Sequence, residues 1–334
     1  MITTRRRLAL LAPALSLLGC APDSQSPDEI NVVQQAATGP ALELENLDEV
    51  PFPDRLVTSK LTDTSKSQVT HTKAQLRIRS TGTTALTINS LTFTGPWRLN
   101  PSVTLPRTVA AGSSTTLTVE ITATSGGKVL TGKLAIGTNA GTTNVQLAGT
   151  RTAPEGGNEP NLQQIVDTFG WKTVIAGAGQ SLVHQGRVEA IGDEVLAPYW
   201  RMLDTSKPVT VWELAAFHTR TSRADLWWFQ KGSTTTNLLV SLAATNAQTL
   251  LPRKEGSTTA AAKATFSNDG VFGFKQDSEW SDPTKNDATA DISKGCTGAC
   301  GHHVRFWPIK DRAGVVVPGA FLMAVDSHGV NYDY

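Results

Sequence analysis

Between residues 41 and 152, apolar and polar residues alternate with a period of two. This alternation is typical of β-strands that bury one face, because successive side chains point to opposite sides of a strand. Turns rich in glycine, serine and asparagine separate the runs at the spacing of a seven-strand sandwich. The alternating apolar sets are Leu76/Ile78, Leu86/Ile88, Leu117/Val119/Ile121, Leu134/Ile136 and Val145/Leu147. We therefore expect an all-β domain over residues 41–152.

The pattern changes after a glycine-, proline- and acid-rich cluster at residues 153–160, which we interpret as an interdomain linker. Pro160 and Gly170 bracket apolar residues at helical spacing, which predicts one short amphipathic helix. Beyond it, short β-branched or aromatic runs predict strands. These runs are Val209–Leu214, Leu226–Phe229, Leu238–Leu242, Val271–Phe274, Val304–Ile309 and Ala320–Val325. The predicted fold class is mainly β: a β-sandwich, then a second β-sandwich or jelly-roll-like domain over residues 161–334 with one or two short helices.

Seven of the eight tryptophans lie in this second half. Tryptophan rings stack on sugar rings, and they also fill the cores of β-sandwiches, so both roles are considered. Trp227 and Trp228 are adjacent, and in a strand they must face opposite sides of the sheet. Trp227, Trp228 and Trp280 are our candidate ligand-binding residues.

The first nineteen residues have the composition of a secretory signal. Three arginines precede an apolar run, Leu8–Leu18, which is too short to span a bilayer. The sequence Leu-Leu-Gly before Cys20 resembles the cleavage site of bacterial lipoproteins. That resemblance implies that residues 1–19 are removed and that Cys20 is lipidated. The protein would then be exported and anchored to the bacterial cell envelope, at the outer membrane or cell surface, with residues 20–40 as a flexible tether.

Two further resemblances concern the folded regions. The segments 76–91, 109–119, 132–139 and 145–149 look like the Ig-like modules of the ASPM/SPD-2/Hydin group, which recur in bacterial surface proteins. Residues 302–312, with the closing residues 331–334, resemble the C-terminal module of some large bacterial surface proteins. The first resemblance implies a spacer or docking domain, and neither implies a particular activity.

Removal of residues 1–19 takes away three arginines and no acid, which lowers the formal net charge from +1 to −2. Without a basic block, we expect no nucleic-acid partner. With Cys20 lipidated, Cys296 and Cys300 remain as a pair, and an oxidising compartment favours a disulfide between them. Zinc binding with a nearby histidine, or two free thiols, are the alternatives. His302 and His303 alternate at a strand start, so we expect one to face the core and the other solvent.

Acidic side chains crowd a polar loop and the C-terminal end. Such oxygen-rich segments can bind calcium, although their spacing is not that of an EF-hand. A solvated acidic loop is the alternative interpretation. The candidate calcium ligands are Asp282, Asp287, Asp291, Asp326 and Asp333.

The chain contains none of the common hydrolase, metalloprotease, P-loop or dinucleotide-binding motifs. Asp193 and Glu194 form a carboxylate pair, but adjacent acids on one loop normally face water. We therefore predict a non-enzymatic, lipid-anchored envelope protein without an organic cofactor, in which an Ig-like spacer presents a binding module for a surface glycan or a protein partner. The alternatives are a glycan- or peptide-active hydrolase with its site in the second half, and a purely structural envelope protein.

Overall fold

The computed structural model describes residues 38–62, 68–124, 128–153, 159–176, 189–218, 222–293, 295–297 and 300–325. Several predicted features lie outside the described residues: the signal, Cys20, most of the tether, the centre of the linker, Asp326 and Asp333. The described chain is mainly β, which confirms the predicted fold class. Within this described part, neither α-helix has the length and apolar character needed to cross a membrane.

The first half forms nine strands in two sheets that pack face to face. One sheet has the order β1-β3-β7-β5 and the other the order β2-β9-β8-β4-β6. Neighbouring strands are antiparallel except β2 and β9, which are parallel. The strands are β1 (Leu42–Asn46), β2 (Arg55–Leu61), β3 (Lys73–Ser80), β4 (Leu86–Thr94), β5 (Trp97–Leu99), β6 (Arg107–Val109), β7 (Ser114–Ile121), β8 (Val129–Thr138) and β9 (Gly141–Thr152).

The structure has two more strands in this half than the seven that the turn spacing predicts. Two of the nine, β5 and β6, have three residues each and lie at sheet edges. Three residues are too few to show a period-two pattern. The alternating residues of the longer strands fill the space between the sheets as predicted, and Leu76, Ile78 and Val119 are fully buried.

The second half begins with the predicted amphipathic helix, α1 (Leu162–Phe169). The Asn161 side chain accepts a hydrogen bond from the Gln164 N–H, and the Gln164 side chain accepts one from the Asn161 N–H. This reciprocal pair is a capping box. Gly170 ends the helix in the left-handed conformation that glycine adopts without strain. The helix buries the same apolar face that the sequence pattern predicts.

The main sheet of the second half has the order β10-β17-β13-β14. Strand β18 pairs with the last two residues of β17, on the side away from β13. Three two-stranded sheets, β11-β16, β12-β15 and β19-β20, complete the described strands of this half. The elements are β10 (Trp200–Arg201), β11 (Val209–Trp212), β12 (Ala215–Ala216), β13 (Ala224–Gln230), β14 (Thr236–Leu242), β15 (Thr249–Leu250), β16 (Lys263–Phe266), β17 (Val271–Gln276), β18 (Glu279–Trp280), α2 (Thr289–Ser293), β19 (Val304–Lys310) and β20 (Val316–Val325), with 3₁₀ turns at Ala244–Asn246 and Pro283–Lys285.

The two halves share one hydrophobic core. Val50 and Val57 of the first half belong to the same buried cluster as α1, Trp171, Trp307 and the inner residues of β20, and we call this cluster the shared core. Polar contacts cross the same boundary: Arg55 Nε donates to the Thr168 carbonyl at 2.8 Å, and Arg312 pairs with Asp54 at 2.7 Å. The first half is therefore packed against the second and does not hang from it by a linker alone.

Candidate functional site

Four side chains form a row across the outer face of the main sheet of the second half. Trp227 of β13 lies opposite Leu238 of β14 on one side and Lys275 of β17 on the other, and Lys275 in turn lies opposite Trp280 of β18. Directly opposed residues on paired strands share a face. Three inter-strand spacings of about 4.8 Å give the row a length of about 14 Å. We call Leu238, Trp227, Lys275 and Trp280 the aromatic row.

The aromatic row faces away from the core of the second half. Leu226 and Phe274, the neighbours of row residues along the strands, are buried in that core. Leu238 is 54% exposed, and both tryptophans and Lys275 are partly exposed. A register shift between Leu226 and Trp227 on the β14 side brings Leu238 into the row. Exposed apolar side chains that lie side by side, and not singly, mark binding surfaces.

Trp280 is held in place from below and from the side. The fully buried Phe229 ring packs edge-on against it, with ring centroids 4.8 Å apart. The Asn286 side chain accepts a hydrogen bond from the Trp280 N–H at 2.7 Å and donates one to the Trp280 carbonyl at 2.8 Å. Gly273 leaves room for this arrangement, because a Cβ there would approach the Phe229 ring to 2.6 Å. The position of Trp280 is thus fixed before any ligand arrives.

Two lysines give the row a positive charge. The Lys275 ammonium lies 4.4 Å from the Trp227 ring centre and 5.4 Å from that of Trp280. The Lys285 ammonium lies 4.2 Å from the Trp280 ring centre and donates to the Ser233 carbonyl at 3.1 Å. Ammonium groups are attracted to aromatic faces at these distances. The surface therefore combines flat aromatic area with cationic groups.

Of the three tryptophans named from the sequence, Trp228 does not join this surface. It faces the opposite side of the sheet, as adjacency to Trp227 predicts, and stacks on Phe266 with ring centroids 4.9 Å apart. Leu238, Lys275 and Lys285 were not named from the sequence, because the register between strands decides which residues share the row. The signal available in the sequence was the tryptophan excess alone.

The expectation for the two histidines is wrong, because both are buried. His302 and His303 are 5% and 1% exposed. Strand β19 begins only at Val304, so the alternation assumed for a strand start does not apply to them. His303 instead bridges two acids, with Nδ1 2.5 Å from Glu279 Oε2 and Nε2 3.2 Å from Asp291 Oδ2. Burial lowers the pKa of His303, but these carboxylates outweigh it and the net pKa is raised.

The expectation that Asp193 and Glu194 face water is wrong for Glu194. Its buried carboxylate accepts a hydrogen bond from Arg305 Nε at 2.6 Å and lies 3.1 Å from His302 Nε2. Burial acts to raise the pKa of Glu194, but the hydrogen bonds with His302 and Arg305 hold it below its ordinary value. Asp193 pairs with Lys310 at 2.6 Å. These pairs hold Asp193 and Glu194 against β19.

The structure joins Cys296 and Cys300 in a disulfide, the favoured interpretation of this pair. The candidate calcium ligands in the described chain serve different local contacts. Asp282 caps a 3₁₀ turn and accepts from the Tyr199 hydroxyl, Asp287 accepts from the Thr289 N–H, and Asp291 accepts from the Gly301 N–H. The described residues contain no group of three or more His, Cys, Asp or Glu side chains placed to hold a metal ion. With Asp326 and Asp333 outside them, the calcium site stays a prediction.

Comparisons with known proteins add little to this geometry. No protein-family model matches the chain, and no curated protein does. Among solved structures, the chain is similar to the VesB protease of Vibrio cholerae (13% identity, TM-score 0.20, covering 33% of this chain and 31% of VesB). It is also similar to the secreted serine protease VesC of Vibrio cholerae (10% identity, TM-score 0.20, covering 61% of this chain and 42% of VesC). A third similar structure is the SafA pilin–SafB chaperone complex of Salmonella enterica (11% identity, TM-score 0.27, covering 87% of this chain and 99% of that chain).

The chain spans about a third of the length of VesB and about two fifths of that of VesC. At TM-scores this low, the similarities carry no argument about function. The class that the described structure defines is a mainly β protein with two packed halves and an aromatic, cationic surface on the second.

Proposed function

We propose that this protein is an exported, lipid-anchored cell-envelope protein whose second half binds an anionic surface polysaccharide at the aromatic row. The observation that carries the proposal is the row itself: two partly exposed tryptophans and an exposed leucine in line, with two ammonium groups against the rings. The export signal and the lipobox-like sequence before Cys20 support the location.

The two kinds of side chain in the row match two features of an acidic polysaccharide. The C–H face of a sugar ring packs on a tryptophan ring, and a row about 14 Å long offers more than one such contact. Carboxylate or sulfate groups on the polysaccharide would pair with the ammonium groups of Lys275 and Lys285. A neutral glycan would use only the aromatic contacts, so the lysines favour an acidic one.

The shared core gives the first half a part in this function. Because Val50, Val57 and Arg55 pack against the second half, the first half holds the binding sheet in a fixed orientation. In the proposed arrangement, the tether that follows Cys20 ends at this first half. The Ig-like region then acts as a rigid mount and not as a freely hinged spacer.

The proposal is tested with residues 21–334, which retain the whole described structure and lack the lipidated cysteine. Affinity electrophoresis in gels containing polygalacturonate, with neutral dextran as the matched polymer, measures binding. We expect retardation by polygalacturonate only, and a loss of about tenfold or more in affinity for Trp280→Ala and for Lys275→Glu, the size expected from removing one aromatic platform or one charge pair.

Lys254→Glu is the matched charge control, because Lys254 is an exposed lysine of the same half whose described hydrogen bonds use its backbone. It should bind like the unmodified protein. Equal retardation of the Lys275 and Lys254 variants would show that net charge and not the row governs binding. No retardation by polygalacturonate would overturn the proposed polysaccharide role and favour a protein partner.

A further inference from the structure

A cavity of about 290 Å³ lies on the inner side of the same sheet, where the shared core meets the core of the second half. Leu162 and Ile165 of α1 and Leu322 of β20 line it from one side, and Leu226 and Leu242 line it from the other. Cavities of about this size are at the lower end of those that hold small organic ligands. Apolar side chains from α1, β13, β14 and β20 thus form two sides of the cavity.

One end of this cavity is acidic. Glu213, Asp277 and Glu279 line it together with His218, and no lysine or arginine is among the described residues of the wall. Asp277 accepts a hydrogen bond from the Asp225 N–H at 3.0 Å, and Glu279 is engaged with His303. Two of the three acids thus have partners inside the fold.

Glu213 differs from the other two acids. It follows β11, and its peptide N–H donates to the Ala262 carbonyl at 3.0 Å. In the described part of the chain no group hydrogen-bonds to its carboxylate. Burial raises the pKa of Glu213 to about 7, and the nearby charge of Asp277 acts in the same direction. A carboxylate in this position gains most from a ligand that brings a positive charge and N–H donors.

We infer that the cavity binds a small organic cation, a primary ammonium group on a short apolar chain or ring. The ammonium group would bind Glu213 beside Asp277, and the apolar part would lie against Leu162, Leu226 and Leu322. This site is separate from the aromatic row, because Leu226 and Gln276 face the cavity while their neighbours Trp227 and Lys275 face outward. The inference does not depend on polysaccharide binding.

The test titrates residues 21–334 with n-hexylamine, with its neutral counterpart 1-hexanol, and with Nα-acetyl-lysine amide, and follows binding by calorimetry at pH 8. We expect saturable binding of hexylamine that is at least about tenfold tighter than that of hexanol. Tighter binding of hexylamine than of the lysine derivative identifies a free amine as the ligand type. The reverse order identifies a lysine side chain of a partner.

Glu213→Gln should lower the affinity for hexylamine about tenfold and leave the affinity for hexanol unchanged. Glu43→Gln, at an exposed position of β1, should change neither affinity. Ala324→Val makes the apolar part of the cavity narrower and leaves its acidic residues unchanged. It should weaken the binding of hexylamine more than the binding of methylamine. This second variant tests the site if Glu213→Gln does not fold. Absence of saturable amine binding, or hexanol binding as tight as hexylamine, overturns the inference. Trp280→Ala should leave amine binding intact, so failure at one site is distinguishable from failure at the other.

Discussion

The partners of single side chains decide the chemistry of the second half. Two carboxylates face His303 and raise its pKa, and Phe229 and Asn286 hold Trp280 in place. Neither contact involves sequence neighbours. A substitution at either residue therefore acts through these identified partners.

Replacement of His303 should change how stability depends on pH. A histidine with a raised pKa contributes stability that is fully present below its unfolded pKa of about 6.5 and is lost as pH rises through the folded pKa. We expect the difference in Tm between the unmodified protein and His303→Gln to be largest near pH 6 and to shrink as pH rises towards 9. Thermal unfolding followed by circular dichroism across that range measures it. A difference in Tm that stays constant with pH would contradict the raised pKa of His303.

Gly273→Ala should both destabilise the protein and impair the aromatic row. The added Cβ would come within 2.6 Å of the Phe229 ring and of Ser281 Oγ, so the ring that supports Trp280 must move. Overpacking of this kind costs about 1–3 kcal/mol, which denaturant unfolding measures, and polygalacturonate affinity should fall with it. Gly270→Ala is the matched control, because its Cβ would meet the ends of the Gln230 and Asn268 side chains, at 3.1 Å and 3.7 Å, and no aromatic ring. Equal effects of the two substitutions would count against the supporting role of Phe229.

At the scale of elements, α1 links the two halves and depends on its cap. Asn161→Ala removes the side chain that satisfies the Gln164 N–H and should cost about 1 kcal/mol of unfolding free energy. Asn161→Asp keeps an acceptor at the same place and should retain most of the stability. Urea unfolding of the three proteins makes the comparison. An alanine variant as stable as the original would show that packing alone sets the helix start.

The elements were predictable from the sequence to the extent that their patterns are local. The helix was bracketed by Pro160 and Gly170, and the long strands of both halves showed period-two alternation or β-branched runs. The predicted runs do not include β1, β2, β5 and β6 of the first half or β10, β12, β15, β16 and β18 of the second, most of which have too few residues to show a pattern. The aromatic row was named only in part, because Lys275 and Leu238 join Trp227 through strand register, which depends on the β-bulge and on long-range pairing.

At the scale of the whole molecule, the shared core makes the two halves depend on each other. A fragment of residues 159–334 would expose the apolar surface that Val50 and Val57 cover, and it would lose the Arg55 contacts with α1. We expect this fragment to bind a hydrophobic dye and to melt at a lower temperature than residues 38–334. The same Tm and no dye binding would show that the second half is independent of the first.

The proposed anchor is tested in cells. Cys20→Ala should move the protein from the membrane fraction to the soluble envelope or medium fraction, because the proposed lipid on Cys20 is what attaches the protein to the membrane. Radiolabelled palmitate should label the unmodified protein and not the variant. Cys20→Ser replaces the same thiol by a hydroxyl group and should give the same fractionation as Cys20→Ala. A variant that stays in the membrane without label would show that attachment does not require the lipid.

The contacts between the halves also have a mechanical consequence. In an envelope protein held at Cys20 and bound to a polymer at the aromatic row, a force on the polymer acts on the second half. It is transmitted through the first half to the anchor. The covalent path between them is the segment 153–160, but Val57 and Arg55 of β2 contact the second half directly, as does Asp54 just before it. The load is then shared by packed side chains and ion pairs in parallel with the backbone, so this protein would resist tension as one body.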